Sequence, residues 1–346
     1  MPHRNDDDLH ADSNGSVADR VSASLSRSDP PPRAELIQDM RRATEVLQGE
    51  PSEIRPTDTE GRPGGIVHLD PALPLVVLPD IHGRVDLLAT VLFSAFPDHG
   101  IEISVLSALE EGRVSLLMVG DYVHAEARAR ERWVSAYDEY LDGFQRHCAM
   151  DAEMTESLGV LQTVAILKAS FPAVVHCLKG NHENITNEEG QGNHRFYKFA
   201  DESAMASAYM DLFYPGDAKT WVARFEKELP LLAIGSRYLV SHAEPVRAYD
   251  AGEIIRFREN PDVVEGLTWT DNDRAQRGSV TRMLGLFLPD RDENDTFYLG
   301  GHRPVVDRYA LRCGGRFVQF HNPLRKIVAL PPSNRRFDPE RDILEL

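Results

Sequence analysis

Asp80 and His82 stand two residues apart in Pro79-Asp80-Ile81-His82-Gly83-Arg84, directly after the apolar run Leu75–Leu78. A carboxylate and an imidazole so spaced in an extended turn can reach one metal ion, and open α/β sheets place their ligand sites at the carboxyl ends of strands. The arrangement recurs. Leu116–Val119 runs into Gly120-Asp121-Tyr122-Val123, Val174–Leu178 into Lys179-Gly180-Asn181-His182-Glu183, and Tyr238–Val240 into Ser241-His242-Ala243-Glu244-Pro245. A fifth candidate strand leads into Gly300-Gly301-His302-Arg303-Pro304. Taken singly, each has an ordinary structural explanation: Asp80 and Asp121 as helix caps, Asn181 as a turn former, His242 and His302 as structural imidazoles. Independent accidents explain five such strand ends in succession poorly.

A donor set of carboxylate, amide and imidazole without thiolate suits Mn, Fe or Zn better than calcium or a structural zinc centre. Asp121 is the natural bridge between two such ions. Two cations about 4 Å apart polarise a phosphoryl group and generate hydroxide near neutral pH for in-line attack. Phosphoester hydrolysis is the chemistry that fits best.

The elements that must position these residues are short runs rich in Val and Leu, the mark of buried strands; Arg316–Phe320 and Lys326–Leu330 complete the set. Helical patterns lie between them at about 85–95, 125–148, 155–170, 198–213 and 218–228, which predicts a layered α/β or α+β sandwich. Residues 1–33, rich in Asp, Ser, Arg and Pro, read as a disordered acidic tail. Residues 34–64 read as an N-terminal helix and linker: Leu36, Ile37, Met40, Ala43, Val46 and Leu47 recur at helical spacing, for packing on the outside of the domain. The catalytic domain is expected over 65–335, and a C-terminal tail over 336–346.

The composition, 42% hydrophobic and 27% charged over 346 residues, is that of a soluble globular chain. No apolar run is long enough to cross a bilayer, and the N-terminus lacks the apolar region of a secretory signal, so a cytoplasmic address is expected. Three scattered cysteines, Cys148, Cys177 and Cys313, suggest neither a disulfide framework nor a thiolate zinc site. A net charge of −17 argues against nucleic-acid binding. The expected partner is a phosphorylated protein or small molecule; the oligomeric state is not specified.

The ordered set PDIHGR, GDYV, KGNHE, SHAEP and GGHRPV resembles the calcineurin-like metallophosphoesterases, specifically the serine/threonine phosphoprotein phosphatase branch and its bacterial relatives. The segment Arg195–Glu202 and Trp269-Thr270-Asp271 are similar to further segments of that branch. The resemblance implies a four-layer α/β/β/α sandwich with helical insertions. It also implies two metal ions, one held by Asp80, His82 and Asp121, the other by Asp121, Asn181, His242 and His302. His182 would protonate the leaving alkoxide, and arginines would hold phosphate, Arg277 foremost, with Arg84 and Arg303 as weaker candidates.

Where the phosphatase branch reads GDYVDRG, this chain has His124, Ala125 and Glu126 after Val123, replacing the Asp that orients the acid and the Arg that holds phosphate. A neutral His124 in the orienting role, or Glu126 in place of the lost carboxylate, are the available substitutes. The Asp80–Asp121 and Asp121–Asn181 separations are longer than that branch shows, implying two insertions. The second holds a helical stretch, Glu131–Met150, whose Trp133, Tyr137, Tyr140 and Phe144 read as a core stripe. Gly301-His302-Arg303-Pro304 lacks the second His that many phosphoesterases use at the first metal, and His321 reads as structural. A phosphomonoesterase is the leading function. A nucleotide hydrolase, acting on dinucleoside polyphosphates or cyclic nucleotides, and a metal-binding scaffold with little turnover are the alternatives.

Overall fold

The computed structural model describes residues 15–346. Two sheets face each other. The first has the order β11-β10-β2-β3-β4, formed by β2 (Leu75–Leu78), β3 (Ser115–Met118), β4 (Val175–Cys177), β10 (Ile327–Ala329) and β11 (Ile343–Glu345). The second has the order β1-β5-β6-β7-β9-β8, from β1 (Ile66–His68), β5 (Leu232–Ile234), β6 (Tyr238–Val240), β7 (Phe297–Gly300), β8 (Ala310–Arg312) and β9 (Phe317–Gln319).

Alternation along each strand builds the layers. In β2, Val76 and Leu78 join the helical side of the first sheet, whereas Leu75 and Val77 enter the core between the sheets. In β3, Leu116 and Met118 divide from Leu117 in the same way. In the second sheet, Val240 and Leu299 face the central core, and Leu239 and Tyr298 face outward. Both faces of every inner strand are covered, which is why these runs read as unbroken apolar stretches.

On the first sheet pack α1 (Val17–Leu25), α2 (Arg33–Gln48), α3 (Val85–Phe93), α4 (Val105–Glu110), α5 (Arg130–Leu141), α6 (Cys148–Ser170), α7 (Glu202–Phe213) and α8 (Ala218–Glu228). On the second pack α9 (Ala251–Ile255), α10 (Pro261–Thr268) and α11 (Ser279–Phe287). The result is the four-layer α/β/β/α sandwich. Among the described residues, no helix is long and apolar enough to cross a membrane.

Several expectations are corrected. Of the segment expected as a disordered tail, residues 1–14 lie outside the described residues, but Val17–Leu25 is helical. Ser16 caps it reciprocally with Asp19, and Val17, Val21 and Leu25, spaced by four, set one face against the helical layer. Composition averaged over the whole segment hid that face. The second helix lays one face on the domain: Leu36, Met40, Ala43 and Leu47 are buried where α2 meets α6 and α8, while Arg41, Glu45 and Gln48 face solvent. The C-terminal segment is not a tail either, because α12 (Pro339–Asp342) leads into β11, which pairs antiparallel with β10 and buries Ile343. The stretch expected as one helix over Glu131–Met150 breaks after Leu141, where Gly143 and Phe144 take positive φ. Of the expected core stripe, Trp133 and Phe144 are buried and Tyr140 partly so, but Tyr137 is exposed, so the stripe is broken there.

Candidate metal centre

The strands β2, β3 and β4 run parallel, as do β6, β7 and β9, so their carboxyl ends lie along one edge of each sheet. Asp80 follows β2 by two residues, Asp121 follows β3, Asn181 follows β4, and His242 and His302 each stand two residues past β6 and β7. All are buried. His82, Asp121 and His302 have φ of 47°, 50° and 63°, a left-handed conformation uncommon for non-glycine residues and costing roughly 1–3 kcal/mol each, as happens where a site dictates the backbone.

Close approach explains two glycines. A Cβ at Gly301 would collide with Asp80 Oδ1, and one at Gly180 with Asp121 Oδ1. Glu183 ties the loops together: its carboxylate accepts the backbone N–H groups of Gly180 (2.7 Å), Asp121 (2.9 Å) and Tyr122 (2.9 Å). Asp121 Oδ1 in turn accepts the N–H of His182 at 2.9 Å, and Asp80 Oδ2 accepts that of His302 at 2.8 Å.

The donor atoms converge in two groups that share Asp121. His82 Nδ1–H donates to the His124 carbonyl at 2.9 Å, which leaves Nε2 bare, 3.4 Å from Asp121 Oδ2. His242 Nδ1–H donates to the Val119 carbonyl at 3.2 Å, leaving its Nε2 2.9 Å from Asn181 Oδ1 and 3.5 Å from Asp121 Oδ2. His302 Nδ1 stands 3.0 Å from the same Asn181 oxygen. Where the bare Nε2 atoms of His82 and His242 face Asp121 Oδ2, lone pairs meet lone pairs and repel unless a cation lies among them. Asp80 Oδ1 and His302 Nε2 are buried without a hydrogen-bond partner among the described residues, a state that costs roughly 1–3 kcal/mol per group.

Electrostatics agree. Burial pushes Asp80 up to about 6, and burial, then the Glu183 and Asp80 charges, hold Asp121 well above the usual carboxylate range. Burial lowers His82 to about 4 and His302 to about 3; burial and then neighbouring imidazoles hold His242 and His182 low. Neutral imidazoles and carboxylates short of positive charge are what a metal cation stabilises. The residues therefore fit a pair of metal ions: this His/Asp cluster suits a dinuclear site.

The centre lies beside a cavity of about 380 Å³ lined by His82, Asp121, Asn181, His182 and His302, with Phe196, Phe199, Tyr197 and Trp269 as an aromatic wall. His182, partly exposed, borders both cavity and centre, its Nε2 3.8 Å from Asp121 Oδ2. Arg195, Lys198 and Arg303 supply positive charge; Arg303 pairs with Asp271 and Arg195 with Asp201.

Three expectations for side chains are not met. Arg277 is exposed and outside the cavity lining, on the turn before α11. Arg84 is buried and donates to the carbonyls of Asn322 (2.8 Å) and Arg325 (2.9 Å), a structural role. His124 makes no hydrogen bond to His182: its ring, turned by a φ of 66°, lies against Phe196, whose centroid is 4.1 Å from both imidazoles. Nδ1 of each imidazole lacks a partner among the described residues. What His124 does contribute is its carbonyl, which orients His82.

The insertion steadies that loop. Ser157 Oγ accepts the His124 N–H at 2.9 Å, Glu153 accepts that of Ala125 at 2.9 Å, and Trp133 Nε1–H donates to the Ala125 carbonyl at 2.7 Å. The reading of His321 as structural also changes. The structure buries it within the cluster, its Nδ1 4.0 Å from Asp80 Oδ2 and its Nε2 2.9 Å from Glu126. It stands two residues past β9, the spacing already seen at His242 and His302, and that repetition was the available signal.

Comparison of the sequence with curated proteins gave no match. Among solved structures, the chain is similar to a protein serine/threonine phosphatase from Saccharomyces cerevisiae described as similar to human phosphatase PP5. That likeness has a TM-score of 0.57 at 14% identity, over 91% of this chain and 90% of that one, and shows the fold. A cold-active protein-tyrosine phosphatase of a psychrophilic Shewanella gives a TM-score of 0.48 at 16% identity, over 84% of this chain and 80% of that one. The family model for calcineurin-like phosphoesterases matches residues 73–325, a span that takes in every loop of the centre, and the chain belongs to that family of phosphoric ester hydrolases.

Proposed function

We propose that this chain is a dinuclear metal-dependent phosphomonoesterase acting on a phosphorylated protein or small molecule. The observation that carries the reading is the cluster of bare donor atoms at the edge of a cavity that also holds His182 and three cationic side chains. Asp80, His82 and Asp121 hold one ion, and Asp121, Asn181, His242 and His302 the other, with Mn, Fe or Zn the metals suited to such donors. When bound, the pair supplies Lewis acidity toward the phosphoryl oxygens and a water activated near neutral pH.

The protein's own groups do the rest. His182 delivers a proton to the leaving oxygen, and a phosphate dianion beside it raises the pKa that burial and the other imidazoles lower. Lys198, Arg195 and Arg303 draw the dianion in, the part that resemblance had given to Arg277. The catalytic domain in this reading extends beyond 65–335 to take in α1, α2 and β11, which pack into its layers, and the free cysteines suit a cytoplasmic location.

Comparing p-nitrophenyl phosphate with bis(p-nitrophenyl) phosphate tests the monoester assignment. Higher kcat/KM on the monoester is expected, since the cationic rim rewards the second negative charge; preference for the diester would overturn it. The aromatic wall favours one second reading, a nucleotide hydrolase with its base stacked on Phe196 or Trp269. Diadenosine polyphosphate hydrolysed faster than any monoester would select it.

A further inference from the structure

We propose that His321 is a further metal ligand, completing the half of the centre built on Asp80 and His82, and that Glu126 orients it. This rests on the dinuclear reading above but concerns residues outside the set inferred for it. His321 leaves the end of β9, which neighbours β7 in parallel, so β6, β7 and β9 deliver His242, His302 and His321 side by side to one edge. One donor atom each from Asp80, His82 and His321 lie within 4.8 Å of one another.

The two ring nitrogens of His321 differ. Nε2–H donates to Glu126 Oε2 at 2.9 Å, which turns Nδ1 toward Asp80; against the effect of burial, the Asp80 and Glu126 charges favour a proton on this ring, and a cation at Nδ1 would take that proton's place. That Nδ1 is fully buried, has no hydrogen-bond partner among the described residues, and lies 4.0 Å from Asp80 Oδ2. A purely structural imidazole at this depth would have both nitrogens satisfied. A bare nitrogen beside a carboxylate oxygen, with the opposite N–H held by a second carboxylate, is the arrangement by which proteins aim a histidine at a metal. Glu126 Oε1 is also 3.8 Å from His82 Nε2 and 3.8 Å from Lys198 Nζ, so the carboxylate stands between the ligand cluster and the cationic rim.

The test is equilibrium dialysis of chelated protein against Mn²⁺, comparing wild type with His321→Phe, which keeps the ring's bulk and removes its nitrogens. The expected result is that wild type binds two ions and that His321→Phe weakens one of them by about 10-fold or more while the other is retained. Two ions bound by His321→Phe at wild-type affinity would overturn the inference and leave the dinuclear reading intact; wild type binding fewer than two would overturn both. Thermal unfolding of the chelated variant checks its fold. Should that variant not fold, Glu126→Gln carries the test: weakening of one ion by about 10-fold supports the assignment, and unchanged affinity for both contradicts it.

Discussion

Asp121→Asn is expected to lower turnover of p-nitrophenyl phosphate by roughly 1,000-fold or more. The Asp121 carboxylate is the group common to both halves of the centre: Oδ2 is 3.4 Å from His82 Nε2 and 3.5 Å from His242 Nε2, while Oδ1 holds the His182 backbone. Asparagine preserves the shape but removes the charge and one of the two oxygens. Metal ions in such sites supply several kcal/mol of transition-state stabilisation, and a loss of about 4 kcal/mol is three orders of magnitude in rate. Metal analysis of the purified variant should show fewer than two ions per chain. Stability should move the other way. Burial and neighbouring carboxylates already disfavour the charged Asp121 in the absence of metal, so the chelated variant should unfold at a temperature no lower than chelated wild type. Activity within tenfold of wild type would contradict the bridging role.

His182→Ala should separate proton transfer from metal binding. Its imidazole faces the cavity, no donor of the inferred ligand set depends on its side chain, and removing a general acid costs roughly 100- to 10,000-fold in rate. Metal content should remain at the wild-type value. The loss should also depend on the leaving group: an alkyl phosphate, whose alkoxide needs the proton, should suffer more than p-nitrophenyl phosphate, whose phenolate departs without one. Equal losses on both substrates, or loss of metal, would assign His182 to another role.

The loops of the centre were legible in the sequence because each sits at a strand end, where local pattern and position coincide. Asp80, His82, Asp121, Asn181, His242 and His302 are all brought together where five short apolar runs end. Residues whose role depends on distant packing were harder to read. Nothing local tells that the His124 carbonyl, rather than its ring, faces His82, or that Phe196 packs against both His124 and His182. Arg277 follows Trp269-Thr270-Asp271 closely in sequence, yet a turn carries it into solvent, and Arg195, Lys198 and Arg303 line the cavity instead. The helix Val17–Leu25 gains its order from α6, far off in the chain, and the strand Ile343–Glu345 from pairing with the preceding strand β10. Their own composition is too polar or too short to announce them.

Two cooperating metal ions are tested most directly by returning Mn²⁺ to chelated wild-type protein while following bound metal and p-nitrophenyl phosphate hydrolysis in the same samples. Turnover that is absent from the chelated protein and rises to its full rate only as the second ion binds is the predicted result. Hydrolysis without metal, or full rate with one ion bound, would contradict a dinuclear centre.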